Sequence, residues 1–225
     1  MCGRFVLTAD AATLLEAFGL EGAMVQMAPR YNIAPTQPVA VITNAEPRKL
    51  TFHRWGLVPS WAKDISIGSK MFNARAETVA EKPSFKNALK RRRCLVPANG
   101  FYEWPEKGKN PMYIHLDGDP VFAFAGLWET WRSPDGDELN SCTILTGEPN
   151  DYIRQFHNRM AIILPKESYS EWLFSGEMRA EEALSFLQPY PAERMHAYEV
   201  SKLVNGANTE GADLIAPVGG QGTLL

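Results

Sequence analysis

The chain opens "MCGRF", with a cysteine directly after the initiator methionine. Once Met1 is removed, Cys2 carries an α-amine with an ordinary pKa of about 7.7–8.0 beside a thiol of about 8.5. Both groups then hold a reactive fraction near neutral pH. Such a 1,2-aminothiol supports two chemistries. The thiolate can attack an acyl carbon with the amine as its base. Alternatively, the amine can condense with an aldehyde to an imine, which the thiol closes to a five-membered thiazolidine. The competing reading is a chance Met-Cys whose thiol packs beneath the first strand, since free structural cysteines are usually buried. Taken alone, Cys2 is explained slightly better by packing.

Two further segments carry polar residues in settings that suit chemistry. In "FNARAE", alternation puts Asn73 and Arg75 on one face of an extended segment. In "FYEW", Glu103 lies among Phe101, Tyr102 and Trp104, where partial desolvation raises a carboxyl pKa toward a value useful for proton transfer. The four histidines are widely scattered, and neither C-x-x-C nor H-E-x-x-H occurs, so no metal is expected. There is no phosphate-binding G-x-x-x-x-G-K-[ST] loop and no nucleophile elbow, and no cofactor is expected.

The elements that must position these residues read as many short strands and a few helices. The chain has 225 residues, 45% of them hydrophobic and 22% charged, enough for a sizeable core in one domain. A net charge of −3 draws no polyanion to the whole molecule, so any such site is a local patch. Three cysteines and no secretory signal or membrane-spanning run point to a reducing setting without disulfides, cytoplasmic, or nuclear in a cell that has a nucleus. "DAATLLEAFGL" reads as a helix capped by Asp10 and stopped at Gly19, and "SFKNALKRRR" as one capped by Ser84. "NDYIRQF", "KESYSEWLF" and "AEEALSFLQ" read as further short helices. "RFVLT", "PVAVIT", "LTFHRWGLV", "CLVPA", "MYIHL", "VFAFAGLWE", "SCTILTG" and "MHAYEV" read as strands. Strands dominate without regular alternation with helices. This predicts an α+β fold, a single domain over 1–218 with a mainly antiparallel barrel-like core flanked by short helices. The tail 219–225 is expected to fray.

"MCGRF", "RYNIAPTQ", "RWGLVPSWA", "FNARAETV", "RRRCLVPANGFYEW" and "FHNRMAIIL" resemble, in order and spacing, the motifs of the SOS response-associated peptidase (SRAP) family of abasic-site processing proteins. The resemblance runs to "VSKLVNGANTEGADLIAPV", nearly the whole chain. It implies a β-barrel-like core and binding to single-stranded DNA that carries an abasic site. It also implies removal of Met1, autocatalytic or by an aminopeptidase, and a thiazolidine between Cys2 and the ring-opened sugar. Cys2, Asn73, Glu103 and His157 become the catalytic set. Asn73 sits near the reacting sugar, Glu103 serves Cys2 as acid and base, and His157 helps open the sugar ring. Gly3, Arg4, Pro35, Trp61, Phe72, Arg75 and Arg159 become the DNA-binding set, with the arginines on phosphates and the aromatics stacking or wedging. The expected partner is single-stranded abasic DNA; the expected protein is a monomer with no membrane contact, nucleoid-associated when bound. Trp55 is expected in the core. "KRRR" at Lys90–Arg93 reads equally as a DNA patch or a solvated helix end.

The sequence departs from the family at Asn158 and Ala161, where Asp and Pro are usual, and at Asn99, where Asp is common. Two rival readings follow from other classes. An N-terminal-cysteine glutamine amidotransferase would release ammonia from glutamine. A non-covalent single-strand binder would be indifferent to an aldehyde in the DNA.

Overall fold

The computed structural model describes residues 2–22, 27–105 and 110–219. Its strands in chain order are β1 (Phe5–Leu7), β2 (Arg30–Ile33), β3 (Pro38–Thr43), β4 (Glu46–Trp55), β5 (Asn73–Arg75), β6 (Arg93–Ala98) and β7 (Gly100–Glu103). They continue as β8 (Met112–Leu116), β9 (Phe122–Arg132), β10 (Glu138–Gly147), β11 (Met160–Ala161), β12 (Ile163–Leu164) and β13 (Met195–Glu199). Helices α1 (Ala11–Phe18), α2 (Ala76–Val79), α3 (Lys86–Arg91), α4 (Tyr169–Phe174) and α5 (Ala180–Ser185) are short.

Five strands close on themselves, in the ring β10–β4–β3–β6–β9 and back to β10. Closure removes the open edges that a sheet of this size would otherwise present. Every joint in the ring is antiparallel except β4–β10. A second, fully antiparallel sheet runs β13–β8–β7–β1–β2. The fold is thus the α+β, barrel-cored class that the strand-rich sequence predicts.

Strand β9 shows how the sequence builds two cores. Phe122 and Phe124 face one cluster, and Ala123, Ala125 and Leu127 the other. The first cluster fills the barrel and the space beneath the second sheet. There the Phe124 ring meets Phe5 and Phe101 edge-on at centroid distances of 5.9 and 5.8 Å. The second cluster lies under the helices. At Gly126 the barrel interior leaves no room for a side chain, since a Cβ would meet Cys94 Sγ at 2.8 Å.

Asp10 caps α1 by accepting from Thr13 N–H at 2.8 Å, and Gly19 ends it in the left-handed conformation with φ 60°. The Ser84 cap is corrected: α3 starts at Lys86 without a side-chain cap. Phe85 and Lys86 instead donate their N–H groups to Lys82 O from a preceding turn. "NDYIRQF" forms only a 3-10 turn at Ile153–Gln155. Residues 220–225 of the expected frayed tail lie outside the described residues. All three cysteines are free and buried. Among the described residues no helix is long and apolar enough to cross a membrane.

Candidate active site

Cys2 lies just ahead of β1 and is fully buried. Strand pairing brings its partner. Phe5 pairs with Phe101 and Val6 with Gly100, and Tyr102 N–H donates to Arg4 O at 3.0 Å. Continuing that antiparallel register places Glu103 opposite Gly3, beside Cys2. Glu103 is also buried, and burial pushes its carboxyl up to about 7, against the pull of the positive amino terminus of the chain. Burial first, and the Glu103 charge second, push the Cys2 thiol well above its ordinary range. The thiol is therefore held protonated until a base takes its proton.

Asn73 opens β5, a three-residue strand laid parallel on β10 with Asn73 opposite Ile144 and Arg75 opposite Thr146. Its Nδ2 donates to Cys2 O at 2.9 Å, and its buried Oδ1 accepts no hydrogen bond among the described residues. Ala74 between them is buried while Arg75 is exposed, as the alternation predicts.

His157 is half-buried and follows the 3-10 turn at Ile153–Gln155, which Asn150 Oδ1 caps by accepting Ile153 N–H at 2.8 Å. His157 Nδ1 accepts Arg159 N–H at 2.9 Å, which puts the proton of the neutral ring on Nε2. The ring thus presents a donor on its other side.

Two of the expected phosphate ligands are engaged inside the protein. Arg159 grips Glu77 as a fork, Nη1 to Oε1 at 2.6 Å and Nη2 to Oε2 at 2.9 Å, and Nη2 also donates to Thr146 O. Arg4 donates to Asn32 Oδ1 at 2.7 Å and to the carbonyls of Val204 and Asn205, and its guanidinium lies over the Trp104 ring. Asn32, fully buried, completes this clamp by donating to Val204, Gly206 and Thr209 carbonyls. Arg4 thereby ties the segment after β13 to the segment ahead of β1 that carries Cys2.

Trp61 is 58% exposed on the loop between β4 and β5, a form suited to stacking. Phe72 instead packs half-buried against the core, edge-on to the buried Trp55 at 6.0 Å. Pro35 and Gly3 are half-buried. "KRRR" is mostly structural. Arg93 is fully buried and donates to four carbonyls around the ends of α3 and α4, Arg92 pairs with Glu129, and Arg91 with Glu177.

Glu77 and Asn32 were not singled out from sequence, although both lie inside the quoted motifs. Each acts only through a partner distant in the chain. Asn99 finds its reason here. Its Oδ1 accepts from Thr8 and Ala9 N–H while its Nδ2 donates to Pro120 O, a donor that Asp lacks.

A buried thiol, a buried carboxyl whose pKa is raised to about 7 and an amide that donates to the Cys2 carbonyl are thus gathered around Cys2. Comparison with known proteins agrees with the motifs. The sequence profile of the SOS response associated peptidase (SRAP) family matches residues 1–207. Abasic site processing protein YoqW of Bacillus subtilis (strain 168) is 44% identical over 221 residues, 96% of this chain and 99% of that protein. Abasic site processing protein HMCES of Gallus gallus is 30% identical over 264 residues, 97% and 78%. A crystal structure of a Bacteroides thetaiotaomicron protein superposes with a TM-score of 0.83 at 28% identity, covering 89% of this chain and 93% of that one. The chain belongs to the SOS response associated peptidase family.

Proposed function

We propose that this protein acts in the DNA-damage response by capturing abasic sites in single-stranded DNA through Cys2, once Met1 has been removed. The observation that carries the reading is the burial of Glu103 beside the Cys2 thiol, with Asn73 holding the Cys2 carbonyl.

Hydrolysis of the Met1–Cys2 peptide bond frees the α-amine. The His157 Nε2–H then assists opening of the abasic sugar to its aldehyde. The amine adds to C1′ and the carbinolamine expels water, giving an imine. Protonated Glu103 supplies the proton to the departing hydroxyl. The hydroxyl leaves with the Glu103 proton, so the imine is left protonated; the carboxylate then removes the thiol proton as sulfur adds to C1′, and the C=N electron pair returns to nitrogen. The sum is aldehyde plus aminothiol giving thiazolidine plus water, with no redox change. A carboxyl of pKa about 7 suits both halves of this sequence. The Asn73 amide fixes the Cys2 backbone, and its Oδ1 is available to the new amine.

Ring closure also explains protection. An imine acidifies C2′ and invites β-elimination of the 3′ phosphate. The thiazolidine has no C=N bond and so no electron sink. Arg75, Arg159 and Trp61 hold the strand by phosphate contact and stacking. Arg159 does so by sharing or exchanging its Glu77 partner.

Mass spectrometry of the DNA-linked peptide tests the reading. It requires a new N-terminus at Cys2 that carries the sugar remnant. A remnant on a lysine contradicts it.

A further inference from the structure

Thr36 is the single non-glycine residue with positive φ among the described residues, at 75°. A β-branched side chain is a genuine outlier there. The residue sits third in the turn Ala34–Pro35–Thr36–Gln37, closed by Gln37 N–H to Ala34 O at 3.3 Å. Proline second and positive φ third is the type II arrangement, whose third place normally takes Gly or Asn.

The surroundings over-determine this conformation. Thr36 N–H donates to Trp55 O at 2.7 Å, and Trp55 N–H to Gln37 O at 2.9 Å. Gln37 Oε1 accepts from Ala34 N–H at 3.1 Å and from Arg30 Nη2 at 2.7 Å. None of these bonds uses the Thr36 side chain, which is exposed. The fold needs the positive φ, and a glycine supplies it without strain. Strain that the fold does not need concentrates where a side chain has another task.

The turn is tied to the candidate active site. The Trp55 indole donates to Phe72 O at 2.8 Å, and the next residue, Asn73, holds the Cys2 carbonyl. We propose that the Thr36 side chain is a nucleic-acid contact, its exposed hydroxyl donating to a phosphate oxygen of the bound single strand. The proposal rests on the reading of the site as one for single-stranded DNA.

The test uses a single-stranded oligonucleotide with a tetrahydrofuran abasic analogue, which has no aldehyde and reports non-covalent binding. Thr36→Gly relieves the strain and should raise Tm by about 2–5 °C while weakening binding about five- to tenfold. Thr36→Val keeps the branching, loses the hydroxyl, and should weaken binding to a similar extent without raising Tm. Parent-like binding by Thr36→Gly, or no rise in its Tm, overturns the proposal while leaving the DNA-site reading intact. A parent protein that fails to bind the oligonucleotide overturns both.

Discussion

Asn73 Nδ2 donates to the carbonyl oxygen of Cys2 at 2.9 Å, across 71 residues of sequence. This bond fixes the backbone of the nucleophile from a strand on the other sheet. Asn73→Ala should leave the thiol and Glu103 in place but loosen the residue that reacts. Adduct formation should slow about 10²-fold, the scale of a misplaced reacting group. Single-turnover rates on abasic single strands measure this, and a parent-like rate removes Asn73 from the machinery.

Glu103 makes a prediction about stability as well as rate. Its folded pKa, about 7, lies above the unfolded value near 4.5, so the folded state binds the proton more tightly. Below pH 4.5 the group is neutral in both states and costs nothing. As pH rises from 4.5 toward 7 the unfolded carboxyl ionises while the buried one still holds its proton, so stability falls over that window and levels off above it. Glu103→Gln, neutral throughout, should therefore gain up to roughly 3 kcal/mol over the parent at pH 8 and almost nothing at pH 4. Denaturant melts at the two pH values check the sign. The same variant should slow both formation and reversal of the adduct by about 10²–10⁴-fold.

The Glu77–Arg159 fork sets the third prediction. Glu77→Ala releases the guanidinium and removes a competing anion, so binding to intact single strands should tighten and become more salt-dependent. Arg75→Ala and Arg159→Ala should do the reverse, each flattening the log–log salt slope by roughly 0.7 because one phosphate is no longer neutralised. Slopes unchanged in both arginine variants place the phosphates elsewhere.

Cys2→Ser with Met1 removed separates the two nucleophiles. The amine still forms the imine, but a hydroxyl closes the ring poorly and an oxazolidine reopens readily. Stable adduct should disappear while strand cleavage by β-elimination persists or rises. A time course scoring intact, cleaved and cross-linked DNA in the same lanes reads all three. As much stable adduct as the parent gives would remove the thiol from ring closure.

Much of the architecture was legible because it is written locally. The alternation in "VFAFAGLWE" and the Asp10 and Gly19 punctuation of α1 depend on neighbours in sequence. So does the Asn73–Arg75 alternation. What was not legible depends on register between distant strands. Glu103 meets Cys2 only because β1 pairs with β7, and Arg159 meets Glu77 across 82 residues. Long-range contacts likewise hold Arg4 against the Val204 carbonyl and draw Arg93 into the core, where the run "KRRR" alone reads as a DNA patch or a solvated helix end. Ser84 does not cap the helix because the Lys82 carbonyl of the preceding turn already accepts the Phe85 and Lys86 amides.

The central claim is covalent capture without outside chemistry. Denaturing electrophoresis of the protein with uracil-containing single-stranded DNA, before and after uracil excision, tests it most directly. A denaturant-resistant species should form on the excised DNA alone and without borohydride, because a thiazolidine survives unreduced. A species that appears only on reductive trapping, or equally on unexcised DNA, contradicts the account.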